Sequence, residues 1–216
     1  MKINEWCKAV HEVAVAHGWW ETEVDPYTAA ALMHSELSEA LEEYRNGRPT
    51  IYCGSDSKEC ETALAPDSVI INGEIFNTPC KSCKSAHKKP EGIAVELADC
   101  AIRIMDYLGG PEFEEYEDPE EYLDFDAEEA ASAYAHYSRN MKFCEALCSV
   151  HRVIDGYIDA LDMYDPYRFD LMRRALYLTL GLMRSLLPPE TRVEDVVAMK
   201  HEYNKTRPYR HGGKVC

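Results

Sequence analysis

Two pairs of acidic residues, each pair three positions apart, could hold a metal ion. The first pair is Glu36 and Glu39, within HSELSEALEEYRNG, and the second is Glu96 and Asp99, within IAVELADCAIRIMDY. On an α-helix this spacing leaves two side chains about 60° apart and one turn away from each other. Carboxylate oxygens are the ligands that Mg²⁺ takes from proteins. Two such helices packed face to face would therefore form a magnesium site.

The alternative for each pair is an ordinary solvated helix face. With 39 acidic residues among 216, chance alone gives about seven pairs at this spacing. However, Glu36 precedes the apolar Leu37, and Glu96 precedes the apolar Leu97, so each pair flanks an apolar stripe. If the two helices packed face to face, their four carboxylates would lie together and repel each other unless cations bound them. From the residues alone, both interpretations stay open.

The C-terminal run MKHEYNKTRPYRHGGKVC reverses the acidic bias of the chain, because its one acidic residue is Glu202. Lysine binds phosphate as a point charge and arginine binds it through two parallel hydrogen bonds. The glycines at 212 and 213 would let the backbone approach a phosphate closely. An anion-binding segment and a frayed, charge-moderating tail are the two interpretations. The basic residues are Lys200, Lys205, Arg207, Arg210 and Lys214.

The elements that must position these residues are helices. Apolar residues recur at helical spacing, and glycine, asparagine and proline mark the ends of the segments. We therefore predict an all-α helical bundle, with a capping box at Thr191 and Glu194 opening its last helix. The predicted helices cover residues 2–17, 27–46, 92–108, 127–163 with a break near Asn140, 167–187 and 190–204, and the one predicted strand is SVIING, 68–73.

A small insert, residues 48–91, interrupts the helical pattern with glycines and prolines and carries four of the nine cysteines. Cys80 and Cys83 have the spacing of a zinc knuckle, whereas Cys53 and Cys60 stand farther apart. A polar segment of this size has little core of its own, and zinc could supply the missing stability. Structural zinc and unliganded thiols are both compatible with this spacing.

Composition narrows the classes of protein and of partner. A net charge of -16 argues against a duplex nucleic acid as partner, because phosphate backbones are bound by basic surfaces. The first 20 residues are interrupted by charges and have no apolar core of a signal peptide or membrane span. We therefore expect a cytoplasmic protein with reduced cysteines and no membrane partner.

Four runs carry a resemblance to a known family. HGWW, ALMHSELSEALEEYRNGRP, KPEGIAVELADCAIRIMDY and KHEYNKTRPYRHGGK, in that order, closely resemble the MazG-like all-α nucleoside triphosphate pyrophosphohydrolases of phages and bacteria. The resemblance implies one MazG-like domain over residues 1–216, with that family's helical-bundle fold. The insert and a longer helical segment, residues 112–189, depart from the family pattern, and the apolar positions of that segment are expected to form core or a dimer interface.

The resemblance also implies an activity, a metal and residue roles. The activity is hydrolysis of a nucleoside or deoxynucleoside triphosphate to the monophosphate and pyrophosphate, with Mg²⁺ or Mn²⁺ as cofactor. Glu39 is our first choice as general base and Glu43 the second. Among further candidates, His211 adjoins the glycine pair, and Trp20 could stack on a base or belong to the core. The implied metal ligands are Glu36, Glu39, Glu96 and Asp99, and the implied substrate contacts are Lys200, Asn204, Arg207 and Lys214.

The choice of substrate stays open at this level. A purine deoxynucleotide such as dGTP or dATP is the first expectation, and a pyrimidine nucleotide, dUTP or dCTP, is the second. A catalytically silent nucleotide-binding or assembly module is the alternative from another class. The resemblance further implies a homodimer or a homotetramer.

Overall fold

The structure, a computed structural model, describes residues 1–54, 70–71, 74–75, 89–113 and 124–213. Helices dominate these residues, so the predicted all-α fold is confirmed. A 3₁₀ turn, Pro111–Phe113, follows the third helix, and a four-residue helical turn, Arg210–Gly213, lies near the C-terminus. The long helices are α1 (Ile3–Ala16), α2 (Pro26–Arg45), α3 (Ile93–Leu108), α4 (Ala127–Arg139), α5 (Phe143–Asp162), α6 (Arg168–Leu186) and α7 (Val193–Lys205).

Two short antiparallel ribbons lie in the segment between α2 and α3. Strand β1 (Tyr52–Gly54) pairs with β4 (Lys89–Glu91), and β2 (Ile70–Ile71) pairs with β3 (Glu74–Ile75). Ile70–Ile71 is the described part of the strand predicted at 68–73. The β1–β4 ribbon was not predicted, because strands of three residues are too short for an alternating pattern to appear. This ribbon places Tyr52 opposite Glu91.

Helix α3 is the central helix of the bundle. It packs against α1, α2, α6 and α7, and 12 of its 16 residues are buried. A helix that is apolar around most of its circumference belongs in the interior. Its four charged residues occupy one stripe, at successive spacings of three, four and three: Glu96, Asp99, Arg103 and Asp106. The central helix therefore presents one charged face and is otherwise core.

The helices of the 112–189 segment belong to the same core. Helix α4 packs on α6, α5 packs on α6 and α2, and α6 packs on α3. One cluster of buried apolar side chains draws members from all seven long helices. The predicted break near Asn140 is confirmed, because Asn140 is the C-cap of α4 and α5 begins at Phe143. A single domain over residues 1–216 stays a prediction.

The start of α7 is built differently from the prediction. The predicted capping box of Thr191 and Glu194 is wrong, because Arg192 is the N-cap and makes no side-chain cap bond. The backbone N–H of Val193 instead donates to Glu128 Oε2 at 2.7 Å. A carboxylate from α4 thus satisfies an N–H group that a helix start leaves open. This contact fixes where α7 begins.

The start of α3 depends on a glycine. Gly92, the N-cap, has φ 115°, in the left-handed region that favours glycine. A Cβ atom there would lie 2.7 Å from the carbonyl oxygen of Thr50. That same oxygen accepts a hydrogen bond from the N–H of Ala94 at 3.0 Å. The first turn of α3 is therefore tied to the chain that leaves α2.

None of the helices in the described ranges combines the length and the apolar character that crossing a bilayer requires.

Candidate active site

The packing of α2 against α3 brings three of the predicted metal ligands together. Glu36, Glu39 and Glu96, here called the carboxylate trio, each place one oxygen within 4.8 Å of the oxygens of the other two. Glu36 is buried, Glu96 is half-buried and Glu39 is exposed. The trio is therefore open to solvent on one side and enclosed on the other. Oxygens at this separation can bind one hard divalent cation.

The fourth predicted ligand, Asp99, is held by α7. Its Oδ2 lies 2.7 Å from Nζ of Lys200, and its Oδ1 accepts a hydrogen bond from Nδ2 of Asn204 at 3.3 Å. Lys200 is only 3% exposed, so this ion pair lies in the interior. Two of the residues expected to contact substrate, Lys200 and Asn204, are therefore bound to a carboxylate expected to bind metal. A metal-ligand role for Asp99 stays a prediction.

Arg103 is a site residue that the sequence analysis missed. Its Nε donates a hydrogen bond of 2.5 Å to Oε1 of Glu36. Arg103 stands seven residues after Glu96 and four after Asp99, so it lies on the same face of α3. The spacing of Arg103 from Glu96 and Asp99 was therefore the sequence feature that could have identified it. The side chain brings a fixed positive charge to the buried member of the trio.

Burial and like charges raise the pKa values of the trio's enclosed members. Burial raises the pKa of Glu96 to about 8; nearby Lys200 opposes this shift, and Asp99 and the other trio carboxylates add to it. Burial also raises the pKa of Glu36, although Arg103 lowers it in part. Burial alone would lower the pKa of Lys200, but Asp99 and Glu96 outweigh burial and raise it. Four carboxylates thus face two ion-paired cations, Lys200 and Arg103.

Glu43, the second choice for general base, lies beside the β1–β4 ribbon. Burial raises its pKa, and a hydrogen bond with Tyr52 lowers it in part. Its Oε2 is buried and has no hydrogen-bond partner among the described residues.

On the same ribbon, Lys89 Nζ lies 2.8 Å from Glu91 Oε1. Burial alone would lower the pKa of Lys89, but Glu91 and Glu96 outweigh burial and raise it. The ribbon therefore adds a cation near Glu96 that sequence patterns did not indicate.

Trp20 lies at the opposite end of the charged stripe of α3. Its Nε1 donates a hydrogen bond of 2.9 Å to Asp106 Oδ1, and its ring meets His11 edge-on at 4.6 Å between centroids. His11 Nδ1 lies 3.0 Å from the same oxygen. Trp20 thus binds Asp106, which lies seven residues after Asp99 on α3. Stacking of Trp20 on a base stays a prediction.

The C-terminal segment follows the turn after α1. His17 Nε2 lies 3.0 Å from the carbonyl oxygen of Arg207. The ring of His211 meets Trp19 edge-on at 5.2 Å. Arg210 donates from Nε to the carbonyl oxygen of Gly18 at 3.1 Å. The HGWW turn and the basic segment, far apart in sequence, are therefore neighbours.

Several predicted site residues lie outside the described residues: Lys214, Cys60, Cys80 and Cys83, with the side chain of Cys53. The backbone of Cys53 forms part of β1. The zinc site stays a prediction for this reason.

Set against models of known families, against curated proteins and against solved structures, the chain matches none of them. The geometry of the site and the residues that form it are therefore what supports a function for this protein.

Proposed function

We propose that this protein hydrolyses a nucleoside triphosphate, with a purine deoxynucleotide as the first expectation, to the monophosphate and pyrophosphate. The observation that carries the proposal is the carboxylate trio, whose oxygens lie within 4.8 Å of one another. Lys89, Lys200 and Arg103 supply positive charge at the edges of the trio. Carboxylates beside cations are what binding a metal and a polyphosphate together requires.

The donor set fits magnesium. Glu39 and Glu96 have no ion pair among the described residues, and Glu36 shares its carboxylate with Arg103. Three carboxylates this close together, with one cationic partner among them, repel each other, and a divalent cation would reduce that repulsion. All three donors are hard oxygen atoms, which favours Mg²⁺ or Mn²⁺ over softer metals. When bound, such an ion neutralises the triphosphate and orients it for in-line attack.

The protein's own residues would bind the ion, orient the substrate and accept a proton. Glu36, Glu39 and Glu96 would hold the ion, and the basic side chains beside them would hold phosphate oxygens. Water adds at phosphorus, the P–O–P bridge between the α and β phosphates breaks, and pyrophosphate leaves. Glu39 is the proposed acceptor of the water's proton, because it is the exposed member of the trio. No protein nucleophile takes part.

The test is an assay that resolves products over all common nucleoside and deoxynucleoside triphosphates with Mg²⁺. We expect pyrophosphate and the monophosphate in equal amounts, and a strong loss of turnover in Glu39→Gln. A matched control is Glu42→Gln, which removes an exposed carboxylate from the same helix outside the trio.

The outcomes separate the candidate activities. Preference for dGTP or dATP would support the first expectation, whereas preference for dUTP or dCTP would place the protein among pyrimidine nucleotide hydrolases. Release of orthophosphate instead of pyrophosphate would contradict the proposal. Binding of nucleotide without any turnover, in protein whose metal content has been measured, would favour the silent binding module.

A further inference from the structure

Arg103 holds Glu36 with one of its three nitrogens. The bond runs from Nε to Glu36 Oε1 at 2.5 Å. Neither terminal Nη group donates a hydrogen bond to any residue that the structure describes. The Arg103 side chain is 36% exposed, so part of it reaches solvent, whereas the Glu36 side chain is only 8% exposed. Among the described residues, one edge of the guanidinium is thus bound and the other has no protein acceptor.

The hydrogen bond from Arg103 to Glu36 would compete with the binding of a divalent cation to the same carboxylate. Glu36 belongs to the carboxylate trio, so a divalent cation shared by the trio would need the oxygen that Arg103 occupies or its neighbour on the same carboxylate. Two positive groups on one buried carboxylate repel each other strongly, because water screens them poorly there. A guanidinium stays charged at any ordinary pH and cannot relieve this repulsion by losing its proton. Moving the guanidinium away from Glu36 would relieve this repulsion.

The Nη groups of Arg103 determine which ligand its guanidinium could bind after leaving Glu36. Each Nη group carries two N–H donors in a planar fork that matches the oxygens of a phosphate. Glu96, Asp99 and Arg103 share one face of α3, so a polyphosphate bound beside the first two would lie within one or two helical turns of the third. Hydrogen bonds to a phosphate would therefore replace the one that Arg103 loses when it leaves Glu36.

We propose that Arg103 is an exchangeable counter-ion, which holds Glu36 until a divalent cation binds there and then transfers its hydrogen bonds to the polyphosphate. The inference rests on the proposed function and deepens it, since it assigns a residue that couples metal binding to substrate binding. It predicts effects of opposite sign when Arg103 is removed: tighter binding of the metal alone and weaker binding of the nucleotide.

The experiment measures the two affinities separately. Protein stripped with EDTA and dialysed is titrated with Mn²⁺ at pH 8.5, where protons compete less for the trio, and free Mn²⁺ is read by electron paramagnetic resonance. The same protein with Mg²⁺ is then titrated with a deoxynucleotide analogue that has an imido bridge between its α and β phosphates. For Arg103→Gln we expect about tenfold tighter Mn²⁺ binding and about tenfold weaker analogue binding, the size of one charge-assisted hydrogen bond.

Arg103→Lys is the matched control, because it keeps the charge and loses the fork. We expect it to bind Mn²⁺ like the unmodified protein and the analogue about tenfold more weakly. Circular dichroism and thermal melts in EDTA report whether each variant folds. If Arg103→Gln does not fold, Arg103→Lys decides, and analogue binding as tight as that of the unmodified protein overturns the inference.

The failures can be told apart. Unmodified protein that binds no Mn²⁺ would overturn the proposed function and this inference with it. Unmodified protein that binds Mn²⁺ and hydrolyses nucleotide, beside a folded Arg103→Gln with the same or weaker Mn²⁺ affinity, would overturn this inference alone.

Discussion

Two carboxylates on the charged stripe of α3 differ in how the protein treats them. Asp106 has partners: Trp20 donates a hydrogen bond to its Oδ1, and His11 lies 3.0 Å from the same oxygen. Glu96, ten residues earlier on the same helix, has neither a hydrogen bond nor an ion pair among the described residues. Burial raises the pKa of both groups, that of Glu96 to about 8.

The difference separates a structural carboxylate from a candidate ligand. A buried polar group that serves the fold is normally satisfied by the protein itself. A carboxylate that the chain leaves without a donor, beside two more carboxylates, is costly to the fold and suited to binding a cation from outside. Asp106 fastens the HGWW turn to α3, whereas Glu96 has no such partner among the described residues and could bind a cation.

The largest expected effect is the contrast in activity between Glu96→Gln and Asp106→Asn. Loss of a metal ligand should lower kcat/KM for the preferred nucleotide by at least about a hundredfold. Asp106→Asn should lower it by less than about threefold, because the amide oxygen still accepts from Trp20. Pyrophosphate release at saturating Mg²⁺ measures both. Equal losses in the two variants would remove the distinction between the two carboxylates.

Asp99 sharpens the comparison, since it has partners and yet lies beside the trio. Lys200→Met should leave Asp99 as a half-buried charge without its counter-ion, which costs about 3 kcal/mol of unfolding free energy. Urea unfolding in EDTA measures this cost. The double variant Lys200→Met with Asp99→Asn should recover most of the loss. If it recovers none, the pair does not stabilise the α3–α7 contact through its charges.

Glu96 should also make stability depend on pH. Its folded pKa, about 8, lies above its unfolded value, so its protonated form favours the fold and that stability is lost as pH rises through about 8. We expect the unfolding free energy in EDTA to fall by on the order of 3 kcal/mol between pH 5 and pH 9, allowing for partial exposure.

Glu96→Gln is the control for this pH dependence. It should flatten the fall by about that amount and be more stable than the unmodified protein at pH 9. Asp106 and Glu36 titrate in both proteins, so the difference between them reports Glu96 together with its coupling to Glu36. Saturating Mg²⁺ should reduce the fall in the unmodified protein, because the ion takes the place of the proton. Parallel pH profiles for the two proteins would contradict the raised pKa.

The smallest effect concerns the turn that positions Glu96. Gly92→Ala combines φ 115° with a Cβ 2.7 Å from Thr50 O, and should cost about 2 kcal/mol of unfolding free energy. Gly47→Ala is the matched control: its φ is 63° and its Cβ would have no neighbour within 4 Å among the residues that the structure describes, so the cost should be about 1 kcal/mol. Thermal unfolding compares the two. An equal cost would mean that the contact with Thr50 does not fix the start of α3.

Features set by local patterns could be predicted, and features set by distant partners could not. The helices carrying Glu36, Glu39 and Glu96 follow from apolar spacing within each segment, as does the break at Asn140. Arg103 and Glu36 are 67 positions apart, and Glu128 and Val193 are 65 apart. No local pattern joins such residues, and the incorrect capping box at Thr191 arose because a nearby motif was preferred to a remote carboxylate.

The sequence by itself determined the helical class and placed two acidic pairs and a basic segment where they could do chemistry, because helix formation and side-chain spacing are local properties of the chain. Only the tertiary structure decided which of those charges meet. It joined three carboxylates, committed Asp99 to Lys200 and Glu36 to Arg103, and left Glu96 without a partner in the described part of the chain. Charge pairing depends on distance in space, and packing sets that distance after the helices have formed.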